Sequence, residues 1–434
     1  MATRNAFIDH NESEYQTGGT RAWMILILLS LSFMFDYIDR MVIASLLPFI
    51  KQDYNVSDRM LGALTGIVSL FIALFVLPVS LLVDRWSRRK MVSLMVLFWS
   101  LATLACAFAK DYNQLLIARA FTGLGEAGYG PAAIAIIAAA FPMESRAKAS
   151  GIFDAFAPIG SGIGFLLGGY IGLHYGWRHA LGIVAVPGII LACIYWFTPD
   201  YKTVPLVEQG DKSSTAFSGL GESFKGLFKI PTLWYVYLAF AMNFAVNTPM
   251  LTWLPSYFHR FHGMDEQRAG TMAGSLALLI LVGAPLGGFL ADRWMRTRRN
   301  ARLVLSGLTS LSSAVILLAA FLLPHTVAFA PLLVCFGILS VAFLAPGQAV
   351  IQDVVHPGLR ALAYGINVVI LNLLGASWSP LFLGELSDRF GLDTAFLFLP
   401  LFGVLAGILF LVGSRKYERD LGRVKKVMLF EEKV

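Results

Sequence analysis

Three ionisable residues stand within five positions of one apolar run: Asp36, Asp39 and Arg40. Spacings of three and four put all three on one face of a helix. A second apolar run carries Arg119 and Glu126, seven apart and so two turns along one face, with Tyr129 three residues beyond. Charges in a membrane-spanning helix are too costly to face lipid, so these side chains should turn toward a partner or a cavity. A carboxyl group in a dry cavity has its charged form disfavoured, which suits a group that loads and releases a proton. Glu126 is the first candidate for that role and Asp39 the second. Arg40 offers a cation to an anionic group of a ligand, and Tyr129 a hydroxyl for a hydrogen bond to it. The plainer alternative is that Asp39 and Arg40 neutralise one another as a structural pair.

Other residue types offer less chemistry. Cys106, Cys193 and Cys335 each lie in an apolar run and are odd in number, against a disulfide framework or a zinc site. His174, His179, His259, His325 and His356 are isolated along the chain, so no metal site is expected. No nucleophile stands beside a base in a recognisable arrangement, so no catalytic residue is assigned and no enzyme is expected. No cofactor is implied beyond a proton as coupling ion. The run Gly123-Leu-Gly-Glu-Ala-Gly128 formally matches a dinucleotide fingerprint, but it lies inside an apolar helix and follows no strand. Its glycines, like Gly160, Gly162, Gly164, Gly168 and Gly169, are expected to let helices approach closely. In the second half, Asn243, Asn247, Asn367 and Asn372, with Trp253, Tyr257 and Trp378, are candidates for a cavity wall. Trp253, Asn367 and Asn372 join Arg40, Glu126 and Tyr129 as the substrate-binding set. Asparagines in spanning helices serve equally as interhelical glue.

The elements that must position these groups follow from composition. Of 434 residues, 57% are hydrophobic and 14% charged, too few charges to cover a soluble fold of this length. Twelve apolar segments fit, six before and six after one polar stretch, and at about 25 residues each they leave no room for a large soluble domain. The fold class expected is an all-α membrane protein of twelve transmembrane helices in two pseudosymmetric six-helix bundles. The divisions are a cytoplasmic tail at 1–21, a first bundle at 22–197 and a linker at 198–230. A second bundle at 231–413 and a basic tail at 414–434 complete the chain. Within the linker, Phe217, Leu220, Phe224, Leu227 and Phe228 fall at helical spacing and predict an amphipathic surface helix over 216–229.

The first 20 residues lack the features of a cleaved secretory signal, so the first hydrophobic segment is expected to remain attached. With both termini inside, 25 of the 34 lysines and arginines fall on the inner side and 7 on the outer, as the positive-inside rule requires. The formal net charge of +7 thus reflects membrane topology, and no nucleic acid is expected as a partner. The two halves also repeat one another. Leu47-Pro48 matches Leu254-Pro255, and Asp58 matches Asp265, at an offset of 207. Asp84-Arg85-Trp86 recurs as Asp292-Arg293-Trp294, and Arg146 matches Arg360. Two parallel repeats imply a cavity where they meet. Asp36, Asp39 and Arg40 have only Asn243, Val246 and Asn247 opposite them, so the ionisable character belongs to the first half.

The loop Asp84-Arg-Trp-Ser-Arg-Arg-Lys90 and its copy Gly288-Phe-Leu-Ala-Asp292-Arg-Trp-Met-Arg296 resemble the signature of the major facilitator superfamily. Arg119-Ala-Phe-Thr-Gly-Leu-Gly-Glu-Ala127 looks like its second signature. Ser80 and Ser87 stand where the first loop motif usually has glycine. The resemblance implies alternating access and a cytoplasmic gate at Asp84, Arg85, Arg146, Asp292, Arg293 and Arg360. Physically, each aspartate can accept hydrogen bonds from an arginine and a helix N-terminus when the inner side closes, with Arg146 and Arg360 as candidate partners.

Asp-Tyr-Ile-Asp-Arg40 together with the Gly-Glu-Ala run resembles the spinster-like branch of that superfamily. This implies an amphipathic, lipid-like cargo such as a sphingoid phosphate or a lysophospholipid, moved with proton coupling. A cation, a carboxyl group and aromatic surroundings suit an anionic or zwitterionic head group. The expected setting is a multi-pass protein of the bacterial inner membrane, monomeric, with membrane lipids around it. The competing readings are a proton-coupled carrier of small organic anions, multidrug efflux, a lipid-modifying membrane enzyme, and a sensor without flux.

Overall fold

The computed structural model describes residues 19–85, 87–198, 226–356 and 359–423. Among these, all regular structure is helical. In the first half the helices are α1 (Gly19–Tyr54), α2 (Asp58–Arg85), α3 (Arg88–Ala107), α4 (Tyr112–Glu126), α5 (Tyr129–Ala140), α6 (Met143–Tyr175) and α7 (Trp177–Phe197). The second half runs α8 (Pro231–His262), α9 (Glu266–Ala277), α10 (Ile280–Met295), α11 (Ala301–Leu322), α12 (Phe329–Leu339) and α13 (Leu344–Asp353). It continues with α14 (Arg360–Leu371), a π-helical turn at Asn372–Ala376, α15 (Ser379–Phe390), α16 (Leu392–Phe396) and α17 (Leu399–Leu421).

Eleven spans among the described residues are long and apolar enough to cross a bilayer. α8 is the twelfth, 32 residues long, with Asn243, Asn247, His259 and Arg260 diluting its apolar character. Spans four, eight, ten and twelve are each built of two helical pieces, and span eleven of two helices with the π-helical turn between them. Proline enters several of these helices, as at Pro285 in α10 and Pro380 at the start of α15, where it removes a backbone donor and favours a break.

Small residues set the distance between helices. α1 and α6 lie backbone to backbone: a Cβ added at Gly160 would come 2.3 Å from Met34 O, and one at Gly164 2.6 Å from Ile38 O. The same holds in span four, where a Cβ at Gly123 would meet Val68 O at 2.4 Å and one at Gly125 would meet Trp99 N at 2.7 Å. The glycines of the formal dinucleotide pattern therefore do packing work, as expected in a lipid-embedded bundle.

One boundary differs from the sequence expectation. α17 continues through residue 421, beyond the bundle end placed at 413, because Asp420 is buried and accepts from Thr232 N at 3.1 Å and Thr232 Oγ1 at 2.7 Å. That carboxylate satisfies the first turn of α8, where helix donors lack intrahelical partners. Most of the surface helix expected at 216–229 lies outside the described residues. Its last turn, 226–228, is helical, with Leu227 buried and Phe228 exposed against Trp234.

Candidate functional site

α1 and α4 bring the ionisable residues of the first half together. Arg40 Nη2 lies 2.7 Å from Glu126 Oε2, and Arg40 Nε donates to Asp36 Oδ1 at 3.2 Å. Arg119 Nη1 donates to Asp39 Oδ2 at 3.3 Å, and Arg119 Nε to the Leu64 carbonyl at 3.5 Å. Asp39 therefore pairs with Arg119, across two helices, and not with its neighbour Arg40. Adjacent residues on a helix point about 100° apart, which separates them. Asp36, Asp39, Arg119 and Glu126 are all buried. The Arg40 side chain keeps 25% of its surface open, and its guanidinium stands 5.3 Å from the centre of the Tyr37 ring. Glu126 Oε1 is buried with no hydrogen-bond partner among the described residues. Glu126 closes α4 three residues before Tyr129 opens α5, so it sits at a break in span four.

The remaining substrate-binding candidates divide. Tyr129 is 1% exposed, its hydroxyl donates to the Leu29 carbonyl at 2.6 Å, and its ring packs edge-on to Trp99. Its expected head-group role is corrected: the hydroxyl already serves the α1 backbone. Trp253 is corrected likewise, being fully buried with Nε1 donating to Pro380 O at 3.0 Å. Sequence gives the amphipathic type of Tyr129, expected to hydrogen-bond cargo, and of Trp253, expected in the cavity wall, but not the direction of the polar atom. Asn372 Nδ2 donates to Val368 O at 2.9 Å at the start of the π-helical turn. Asn367 is 1% exposed with Oδ1 unpartnered among the described residues. Asn243 and Asn247 act as glue, through Ser310 Oγ at 3.2 Å and Ser340 O at 3.3 Å.

At the inner side the side chains of Asp84 and Arg85 lie outside the described residues. Arg146 is exposed and donates to Phe141 O at 2.9 Å, while Arg360 is exposed and donates to Gln352 O at 3.1 Å. Neither is the partner expected for Asp292. That aspartate pairs with Arg302 at 2.9 Å, inside its own half, and Arg302 also holds Asp353 at 2.6 Å. Tyr417 donates to the same Asp353 carboxylate at 2.7 Å. Arg293, also named for the inner gate, is exposed at the end of α10.

Sequence reasoning missed the outer counterpart. Asp58, at the start of α2, accepts from Lys51 at 2.6 Å, from Arg260 at 2.6 and 2.8 Å, and from Ser387 Oγ at 2.5 Å. Asp388 accepts from Asp58 N and Arg59 N, both at 2.8 Å, and so caps α2 from the opposite half. Below this cluster the halves touch backbone to backbone, since a Cβ at Gly62 would come 2.2 Å from Pro380 O and one at Gly66 2.1 Å from Ser377 O. The outer face is thereby closed. The repeat marks Asp58 through its match with Asp265, but nothing in the sequence joins it to Arg260 or Asp388 of the opposite half.

Comparison with known proteins places this geometry. Over 98% of the chain and 86% of its own length, protein spinster homolog 1 of Xenopus laevis is 25% identical. An MFS-type efflux pump of Mycolicibacterium smegmatis is 28% identical, over 97% of the chain and 99% of its own. A sphingosine-1-phosphate transporter of Xenopus tropicalis is 26% identical, over 92% of the chain and 83% of its own. The crystal structure of a bacterial homolog to the human lysosomal transporter Spinster, inward-facing and unoccupied, superposes with a TM-score of 0.80 at 26% identity. It covers 93% of this chain and 99% of that one. These relatives are transporters, and the bacterial ones fit a multi-pass protein of the inner membrane. The Major Facilitator Superfamily profile matches residues 29–380, and the chain belongs to that superfamily.

Proposed function

We propose that the chain moves an amphipathic, lipid-like molecule with an anionic or zwitterionic head group, a sphingoid phosphate or lysophospholipid, by alternating access with proton coupling. The observation that carries this reading is the state of Arg40. Its partners Asp36 and Glu126 are closed off while its own side chain remains 25% open, so the cation is the group a head group can reach. An arriving anion competes with Glu126 for the guanidinium. Three carboxylates, Asp36, Asp39 and Glu126, share two guanidiniums, so full ionisation leaves one uncompensated negative charge in a dry site. A proton on Glu126 or Asp39 removes it, and the bound anion and the proton thereby favour one another.

Resemblance to the sphingosine-1-phosphate transporter of Xenopus tropicalis supports the lipid class. Resemblance to the mycobacterial efflux pump favours a second reading, export of other amphipathic or small anionic compounds. Proteoliposome flux separates them, with labelled sphingosine phosphate, lysophospholipid and a small organic anion tested with and without a pH gradient. Gradient-driven lipid flux that Glu126→Gln makes insensitive to the gradient, and Arg40→Ala abolishes, is the expected result. Movement of the small anion alone would overturn the lipid cargo, and flux indifferent to the gradient in the native chain would overturn the coupling.

A further inference from the structure

The outer end of span eleven carries a stripe that changes from aromatic to charged. Trp378, Phe382, Glu385 and Arg389 follow one another at spacings of four, three and four, and so share one face of α15. With Leu381 and Arg59, at the start of α2, they line a cavity of about 370 Å³. The Trp378 and Phe382 rings meet edge-on at 5.5 Å, and both pack against Phe402 of α17, at 5.3 and 6.1 Å. Leu374, whose carbonyl accepts from Trp378 Nε1 at 2.7 Å, is exposed. The aromatic end of the stripe thus runs onto the surface that the bilayer covers, with tryptophan at the level of its outer interface. From Trp378 to Arg389 the helix rises roughly 16 Å.

The upper end is unbalanced in charge. Glu385 Oε1 accepts from Arg389 Nε at 2.6 Å and lies 2.5 Å from its Nη2, while Oε2 lies 3.5 Å from Arg59 Nη1. One carboxylate therefore serves two guanidiniums. The neighbouring acid, Asp388, is engaged by the N–H groups of Asp58 and Arg59. The side chains of Arg59 and Arg389 are 60% and 67% exposed and keep donors to spare.

We propose that this cavity holds an anionic phospholipid of the outer leaflet, with its phosphate between Arg59 and Arg389 and its acyl chain along Phe382 and Trp378. A soluble anion would leave the rings unused, and an uncharged chain would leave the surplus cation unused; a phospholipid satisfies both. The site also straddles the seam. Arg59 belongs to the first half and Arg389 to the second, and beneath them Gly62 meets the Pro380 carbonyl. Parting the outer face draws the two guanidiniums away from one another. The lipid therefore binds the closed outer face better than the open one, and its presence shifts the balance toward closure. This site is separate from the Arg40 cluster and does not depend on which cargo is carried.

The test follows spin-label distances between the outer ends of α2 and α15 in the full chain, in nanodiscs of phosphatidylcholine or of phosphatidylglycerol with the same acyl chains. The ratio of closed to open is expected to rise about fivefold in phosphatidylglycerol. Arg59→Gln/Arg389→Gln should lose that lipid dependence, whatever its own baseline. Arg268→Gln, which removes another exposed outer arginine, and Arg40→Ala should both keep it. No lipid dependence in the native chain, or undiminished dependence in the double variant, overturns the site. Loss in Arg268→Gln would assign the effect to outer surface charge at large, and loss in Arg40→Ala to the central cluster; either overturns it. Inorganic phosphate that reproduces the shift in phosphatidylcholine would overturn the lipid as occupant.

Discussion

Arg260 of the second half grips Asp58 of the first at two points, Nη1 to Oδ2 at 2.6 Å and Nη2 to Oδ1 at 2.8 Å. Paired geometry of this kind is the stronger form of an arginine–carboxylate contact. Arg260→Ala leaves the buried Asp58 carboxylate with a single cation, Lys51. The closed outer face should lose on the order of 2 kcal/mol, about 30-fold in the balance between closed and open. Spin-label distances between the outer ends of α2 and α15 read this directly; an unchanged distribution would refute it.

The same face depends on two glycines in α2. Gly62→Ala or Gly66→Ala would drive a methyl group into the backbone oxygen of Pro380 or Ser377. Neither oxygen can retreat without moving a helix, so closure of the outer face should fail while each half folds normally. Flux should fall by tenfold or more, with little change in helix content by circular dichroism. Native flux in both variants would show that the halves need not meet so closely.

Arg119 is 1% exposed and faces Asp39 at 3.3 Å. Removing it by Arg119→Ala strands a buried carboxylate and should cost about 3 kcal/mol. Adding Asp39→Asn removes the stranded charge and should restore much of that loss. Thermal unfolding of the two variants measures it, and a double variant no more stable than the single one would argue against the pairing.

Trp253→Phe tests the corrected role of that residue. It keeps an aromatic ring but loses the rest of the indole and the bond from Nε1 to Pro380 O, at an expected cost of about 1–3 kcal/mol in stability. Relative rates for different cargoes should not change. A change in cargo preference without a change in melting temperature would return Trp253 to the binding site.

Much of this architecture is legible in the sequence because hydropathy and charge in a bilayer are strong signals. Spans, topology and the two-fold repeat need only residue type, and so does the demand that Asp36, Asp39, Arg40, Arg119 and Glu126 turn inward. The choice of partner is not legible. Asp58 and Asp265 occupy matched places in the repeat, yet Asp265 caps its own helix by accepting from Arg268 N, while Asp58 bonds across the halves. Nothing in the local sequence distinguishes them, since the difference lies in what the opposite half presents.

The Asp388 cap on α2 has a consequence for how the outer face opens. While it is closed, the N–H groups of Asp58 and Arg59 are satisfied by a carboxylate from the other bundle. Parting the bundles strips those donors, and the first turn of a helix has no internal replacement to offer. Solvent has to take over, on the donors and on the freed carboxylates of Asp58 and Asp388 alike. Outward opening is therefore a hydration step, linked to water activity, and osmolytes excluded from the cavity should slow the turnover cycle at that stage.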